Sequence, residues 1–244
     1  MFSVKWWQKT TSMSHRKYSL FDTKRHEAMT SNLTPNRPLK LVFLISGNGS
    51  NLQAIIDNIN QGKLNAIIST VISDKEDSYG LTRATKASIP TELCLRQHFP
   101  SKQEHEQALA TLVSKYQPDL VVLAGFMKKL SAEFIYRFPS KILNIHPSLL
   151  PKFKGLNTHQ RAIDAKESEH GATVHVVTPD LDSGPIIIQS AVSITAEDTA
   201  ETLGNKVLET EHIIYSQVIQ YLAETPQALK SLATLSMQKP KRSK

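Results

Sequence analysis

A single cysteine, Cys94, stands in 244 residues, so no disulfide can form within the chain. It falls in the apolar stretch TELCL, which reads as a strand; core packing in a reducing compartment such as the cytoplasm is the expected role. No apolar run approaches the roughly 18 residues of a membrane span. The glycine-rich stretch SGNGSN (46–51) is not followed by the Lys-Ser/Thr pair of a P-loop, because Ser50, Asn51 and Leu52 come next. There is no GxSxG elbow, no HExxH pair and no Cys/His spacing suited to zinc. Serine, cysteine and metal catalysis thus lack their usual signatures. Acid is scarce at both ends: residues 1–40 hold eight Lys/Arg against Asp22 and Glu27, and residues 239–244 hold four with no acid. Between them 17 basic residues face 20 acidic ones, so the net charge of +7 belongs to the ends. A nucleic-acid-binding face is not expected. Residues 1–38, with Trp6 and Trp7 among scattered bases and no compact apolar core, read as an irregular basic extension rather than a secretory signal, upstream of a candidate start at Met29.

What is present is an alternation of short apolar runs and helical periodicity from Leu39 onward. LKLVFLI (39–45) reads as a buried strand and Ser50–Asn60 as a helix stopping near Gly62. Strands at 65–73, in PTELCL and at 119–125 alternate with helices in SYGLTRATKAS and over Lys102–Tyr116, where Ala108, Leu109, Leu112 and Val113 share a face. The strand at 119–125 is apolar throughout and so expected at the centre of the sheet. A short helix at Ala132–Arg137 precedes the strand that ends in Asn144-Ile145-His146, beyond which prolines forbid a ladder. GATVHVVTPDLDSGPIIIQSAVSI gives two strands around a loop at Thr178–Pro185. A long helix from about Asp198 to Ala223, capped by Asp198 or Thr199, buries Leu203, Val207, Ile214 and Val218. The fold class is α/β: a mostly parallel, twisted, Rossmann-like sheet with helices on both faces and antiparallel strands added near the C-terminal part.

A strand, two glycines and a helix start form a general anion trap, since free N–H groups and the helix dipole converge there. Gly47 and Gly49 match the first two glycines of a dinucleotide fingerprint and Asp74 its ribose acid, but Leu52 replaces the third glycine. A plain βα turn is the other alternative. Further on, Asn144 and His146 share one face of their strand, with Leu143 and Ile145 opposite. An amide beside an imidazole at a sheet's carboxyl end suits a carbonyl oxygen that becomes negative, and Asp182 from the distant loop could orient the imidazole and favour its protonated form. His159, His170 and His175 show no ligand spacing.

Taken together, LISGNGSNLQAIID, VVLAGFM, ILNIHPSLLPKFKG, HGATVHVVTPDLDSGPIIIQ and ETEHIIY resemble the phosphoribosylglycinamide formyltransferases, over about Leu39 to Ala223. The resemblance implies a catalytic domain at 39–225 between the basic extension (1–38) and a basic tail (226–244). It implies formyl transfer from 10-formyltetrahydrofolate to an amine in purine biosynthesis, with Asn144, His146 and Asp182 catalytic and no metal. By the same likeness Gly49, Ser50 and Asn51 would hold the phosphate of phosphoribosylglycinamide, and Glu211 its ribose or glycinamide end. Folate would lie against Met127, Lys128, Lys129, Leu130, Asn144, Thr178, Pro179, Asp180, Leu181 and Asp182, with Lys102 toward its glutamate tail. Lys102 and Lys128 stand where the family often has arginine, and Lys129 replaces a usual apolar residue; lysine keeps the charge without the bidentate fork. The expected partners are small molecules, not nucleic acid or membrane, and the expected state a monomer or homodimer. Methionyl-tRNA formyltransferase and formyltetrahydrofolate deformylase carry further domains for which residues 1–38 and 224–244 leave no room. A non-catalytic nucleotide-binding module would not need the Asn-His-Asp set.

Overall fold

The computed structural model describes residues 37–225, 227–229 and 232, so the greater part of the expected extension and tail lies outside the described residues. Strands β1 (Leu39–Ile45), β2 (Ala66–Ser73), β3 (Thr91–Leu93), β4 (Leu120–Leu123), β5 (Ile142–His146), β6 (Glu169–Val176) and β7 (Ile186–Ser193) form one seven-stranded sheet in the order β3-β2-β1-β4-β5-β6-β7. β1 to β5 pair parallel, and β6 and β7 add antiparallel. The helices are α1 (Ser50–Asn60), α2 (Tyr79–Lys86), α3 (Lys102–Lys115), α4 (Ala132–Arg137), α5 (Thr158–Asp164) and α6 (Ala200–Glu224). Among the described residues no helix is long and apolar enough to cross a membrane.

Period-two alternation in β1 divides the core. Leu41, Phe43 and Ile45 face the layer of α1 and α6, whereas Val42 and Leu44 face that of α3 and α4. β4 lies at the centre with every residue buried, as its unbroken apolar run predicts. Each strand–helix alternation from β1 to β5 appears as expected, and α6 is capped by Thr199, whose hydroxyl accepts the Thr202 N–H in a capping box. Two expectations need adjustment. PTELCL pairs only over Thr91–Leu93; Cys94 is buried just beyond it as a free thiol that burial pushes up to about 11. The inner face of α3 is His105, Glu106, Leu109, Ala110 and Val113, with Ala108 and Leu112 only half-buried. The polar pair is tolerated because His105 Nε2 bonds the Cys94 carbonyl at 2.9 Å and Glu106 accepts the Ser131 N–H at 3.2 Å.

Candidate active site

The carboxyl ends of β1, β4 and β5 lie side by side, and loops rising from them build the site. At the end of β1 the chain turns through Gly47-Asn48-Gly49 into α1. Gly49 caps that helix in the left-handed region (φ 71), and no side chain caps its first turn. The turn is held from outside by α2: the Ser78 hydroxyl and the Gly80 N–H both donate to the Gly47 carbonyl, at 2.8 and 3.0 Å. A Cβ on Gly49 would meet the Gly80 Cα at 2.7 Å. Leu52, at the position of the dinucleotide fingerprint's third glycine, is fully buried in the core.

Asn51, in the first turn of α1, points its amide inward and donates to Glu211 of α6 at 2.7 Å. Glu211 is 7% exposed, and burial pushes its carboxyl up to about 7 against the opposing effect of the Asn51 bond. The turn and this carboxyl group therefore form one unit across two helices.

At the end of β5, Asn144 and His146 share a face, as their spacing predicts, and Asp182 reaches them from the loop between β6 and β7. His146 Nδ1 lies 3.4 Å from Asp182 Oδ2, with both side chains less than a tenth exposed. His146 Nε2 donates to the Phe153 carbonyl at 3.0 Å, since a carbonyl can only accept. The same Asp182 oxygen accepts the Gly155 N–H at 2.9 Å. Asp182 adopts φ 46, in a region that aspartate tolerates better than most residues.

His175 joins this set, although metal-like spacing gave no reason to select it. It sits opposite Asn144 in the antiparallel β5–β6 pair, and directly opposed residues share a face. Its Nδ1–H donates to the Val176 carbonyl at 3.0 Å, which leaves Nε2 to accept from Asn144 Nδ2 at 3.2 Å. Burial is the main cause that keeps this imidazole below its ordinary value, with Asp182, 3.8 Å from Nε2, acting in the opposite sense. The polar alternation Thr173/His175 among Ala172, Val174 and Val176 is the sequence signal that marks it. Asn144, which uses its amide on His175, also lines the adjoining cavity.

That cavity, about 500 Å³, is lined by Met127, Lys128, Lys129 and Leu130 after β4, by Asn144 and His146, and by Thr178, Pro179, Leu181 and Asp182. Asp180 is absent from the lining; its carbonyl accepts from the Thr178 hydroxyl at 3.3 Å. Lys102 also lies elsewhere, 3.6 Å from Glu106, on a separate cleft between α3 and α4. The glycine turn is linked to the cavity through Ser46, whose hydroxyl accepts the Met127 N–H at 2.9 Å. Among the described residues no group of His, Cys, Asp and Glu side chains is arranged to hold a metal ion.

Residues 39–219 match the formyl transferase family model. The chain is 48% identical over 185 residues to the phosphoribosylglycinamide formyltransferase of Haemophilus influenzae, covering 76% of this chain and 87% of that one. It is 44% identical over 186 residues to the Escherichia coli enzyme of the same name, covering 76% and 88%. A solved phosphoribosylglycinamide formyltransferase from Coxiella burnetii superposes with a TM-score of 0.74 at 52% identity, over 77% of this chain and 88% of that one.

Proposed function

The chain belongs to the formyl transferase family, and from that premise we propose that it transfers a formyl group from 10-formyltetrahydrofolate to the amine of 5'-phosphoribosylglycinamide. The products are phosphoribosyl-N-formylglycinamide and tetrahydrofolate, in purine biosynthesis. The observation that carries this reading is the convergence of Asn144, His146 and Asp182 on the wall of a cavity tied through Ser46 to a glycine turn without a side-chain cap.

In this reading Gly49, Ser50 and Asn51 receive the phosphate through first-turn N–H groups, and Glu211 meets the ribose end of the acceptor. The folate donor lies against Met127 to Leu130 and Thr178 to Asp182, with Asp180 contributing through the shape of its loop. Lys128, on the cavity rim, is better placed than Lys102 to meet the donor's glutamate tail.

The acceptor amine attacks the formyl carbon, and the formyl oxygen becomes an oxyanion. The Asn144 amide faces that oxygen. Protonated His146 supplies positive charge beside it, and its Nε2–H can turn from the Phe153 carbonyl to the incoming anion. Asp182 keeps the imidazolium paired and can pass the amine's proton through water to the departing folate nitrogen. Holding two substrates side by side lowers the barrier further. Two water-soluble substrates suit a cytoplasmic location.

The test is turnover of purified protein with both substrates, followed by the absorbance of released folate. Acceptor-dependent release is expected. Release without acceptor would assign a hydrolase instead, and no release would overturn the reading.

A further inference from the structure

The segment Phe153–Gly155, between β5 and α5, touches both members of the charged pair. The Phe153 carbonyl accepts from His146 Nε2, and the Gly155 N–H donates to Asp182 Oδ2. No strand ladder supports this segment, and Phe153 adopts φ 55, in the left-handed region that is a strained choice for phenylalanine. Something else must hold it.

Arg161, on α5, reaches back over the loop that precedes its own helix. Its Nη1 donates to the Lys154 carbonyl at 2.6 Å and to the Leu156 carbonyl at 3.3 Å, and its guanidinium lies 5.5 Å from the centre of the Phe153 ring. The Lys154 carbonyl and the Gly155 N–H are two ends of one peptide unit. That unit is therefore bound on one side by a cation and on the other by a carboxylate. A positive donor at the carbonyl polarises the peptide and strengthens its N–H as a donor, so the bonds support each other along the row. The row runs from Arg161 through the peptide to Asp182 and then to His146.

We infer that Arg161 is a positioning residue for the Asp182–His146 pair, acting through the Lys154–Gly155 peptide and the Phe153 ring, an inference that rests on the formyl-transfer reading above. A second tie from the same loop runs from the Lys154 ammonium to the Ser183 hydroxyl; it fixes an exposed side chain and leaves the peptide free.

The experiment compares Arg161→Ala, Arg161→Lys and Lys154→Ala with the wild type by steady-state kinetics, and by amide exchange at Gly155 in the unliganded protein. Arg161→Ala should lower kcat about tenfold, with the KM for phosphoribosylglycinamide within about twofold, because misplacement of catalytic groups reads out in the chemical step. Gly155 exchange should become faster in the same variant. Arg161→Lys, which keeps charge and one carbonyl contact, should fall between, and Lys154→Ala should leave kcat within about twofold. Unchanged kcat and unchanged Gly155 exchange in Arg161→Ala would overturn the inference. So would an equal loss in Lys154→Ala, or a parallel fall of thermal midpoint and acceptor affinity in Arg161→Ala, either of which marks general loosening. A wild type without formyl transfer would sink the activity reading instead, while Gly155 exchange would still report on the relay.

Discussion

Oδ2 of Asp182 stands 3.4 Å from Nδ1 of His146 while accepting the Gly155 N–H at 2.9 Å, so one oxygen orients the imidazole and is itself oriented by the backbone. Asp182→Asn keeps the shape and removes the charge. It should lower kcat roughly a hundredfold with little change in the KM for the phosphoribosyl substrate, and His146→Ala should do at least as much. Steady-state kinetics on both variants check this; wild-type turnover in either would make the pair structural.

Glu211 gives a pH-dependent expectation. Its carboxyl is held at about 7 in the fold against an ordinary 4.5. Between those values the unfolded chain releases the proton and the folded chain keeps it. The stability contributed by the neutral form is thus full below about 4.5 and lost as pH rises through about 7. At higher pH a buried charge costs up to about 3 kcal/mol. Glu211→Gln retains an acceptor for Asn51, and should unfold at a higher temperature than wild type near pH ~8 and at a similar one near pH ~4. It should also bind the ribosyl substrate more weakly, so calorimetry and KM should move in opposite senses. A lower midpoint near pH ~8 would count against a buried, uncompensated carboxylate.

Tyr215 is fully buried, and its hydroxyl donates to the carbonyls of Leu123 and Leu143, at 3.0 and 3.1 Å, where β4 and β5 deliver the site residues. Tyr215→Phe removes the donor and leaves two carbonyls without it. The cost should be about 1–3 kcal/mol in denaturant unfolding, and an unchanged midpoint would show that the carbonyls are satisfied otherwise.

Gly80 of α2 packs closely on the turn: a Cβ there would meet Ile45 Cδ1 at 2.4 Å, which must move, and the Gly47 carbonyl and Gly49 Cα at 3.4 Å. Gly80→Ala should push α2 off the glycine turn and raise the KM for phosphoribosylglycinamide several-fold, with a smaller effect on the KM for the folate donor. Isothermal titration with each substrate separates the two effects, and equal weakening of both would refute a local role.

Lys128 lines the large cavity, whereas Lys102 is paired with Glu106 on another cleft. Lys128→Ala should therefore raise the KM for 10-formyltetrahydrofolate more than Lys102→Ala does; the reverse order in steady-state kinetics would place the donor's tail toward α3.

The sequence carries most of this fold because its periodicities are local. Leu39–Ile45, Ser50–Asn60 and the capped start of α6 follow from neighbours within a turn or a strand. The same holds for Asn144 and His146 sharing a face. The contact of Asp182 with His146 bridges 36 residues of chain, and no spacing rule reaches that far. His175 is not legible from ligand spacing, because its place follows from its register opposite Asn144 across the β5–β6 pair. The helix at Thr158–Asp164 escaped because Pro151 and Gly155 punctuate the approach to it, and its cap, Asn157 at φ 57, is a conformation that sequence signals poorly.

The sheet order has a last consequence for substrate choice. β1, β4 and β5 are adjacent and parallel, so the strand ends that carry the glycine turn and the Asn144–His146 pair stand two strand spacings apart, roughly 10 Å. Backbone ladders set the interval between those strand ends. On the proposed assignment the scaffold would work as a calliper: an amine tethered too near its phosphate, or too far, would seat one end and miss the formyl group with the other.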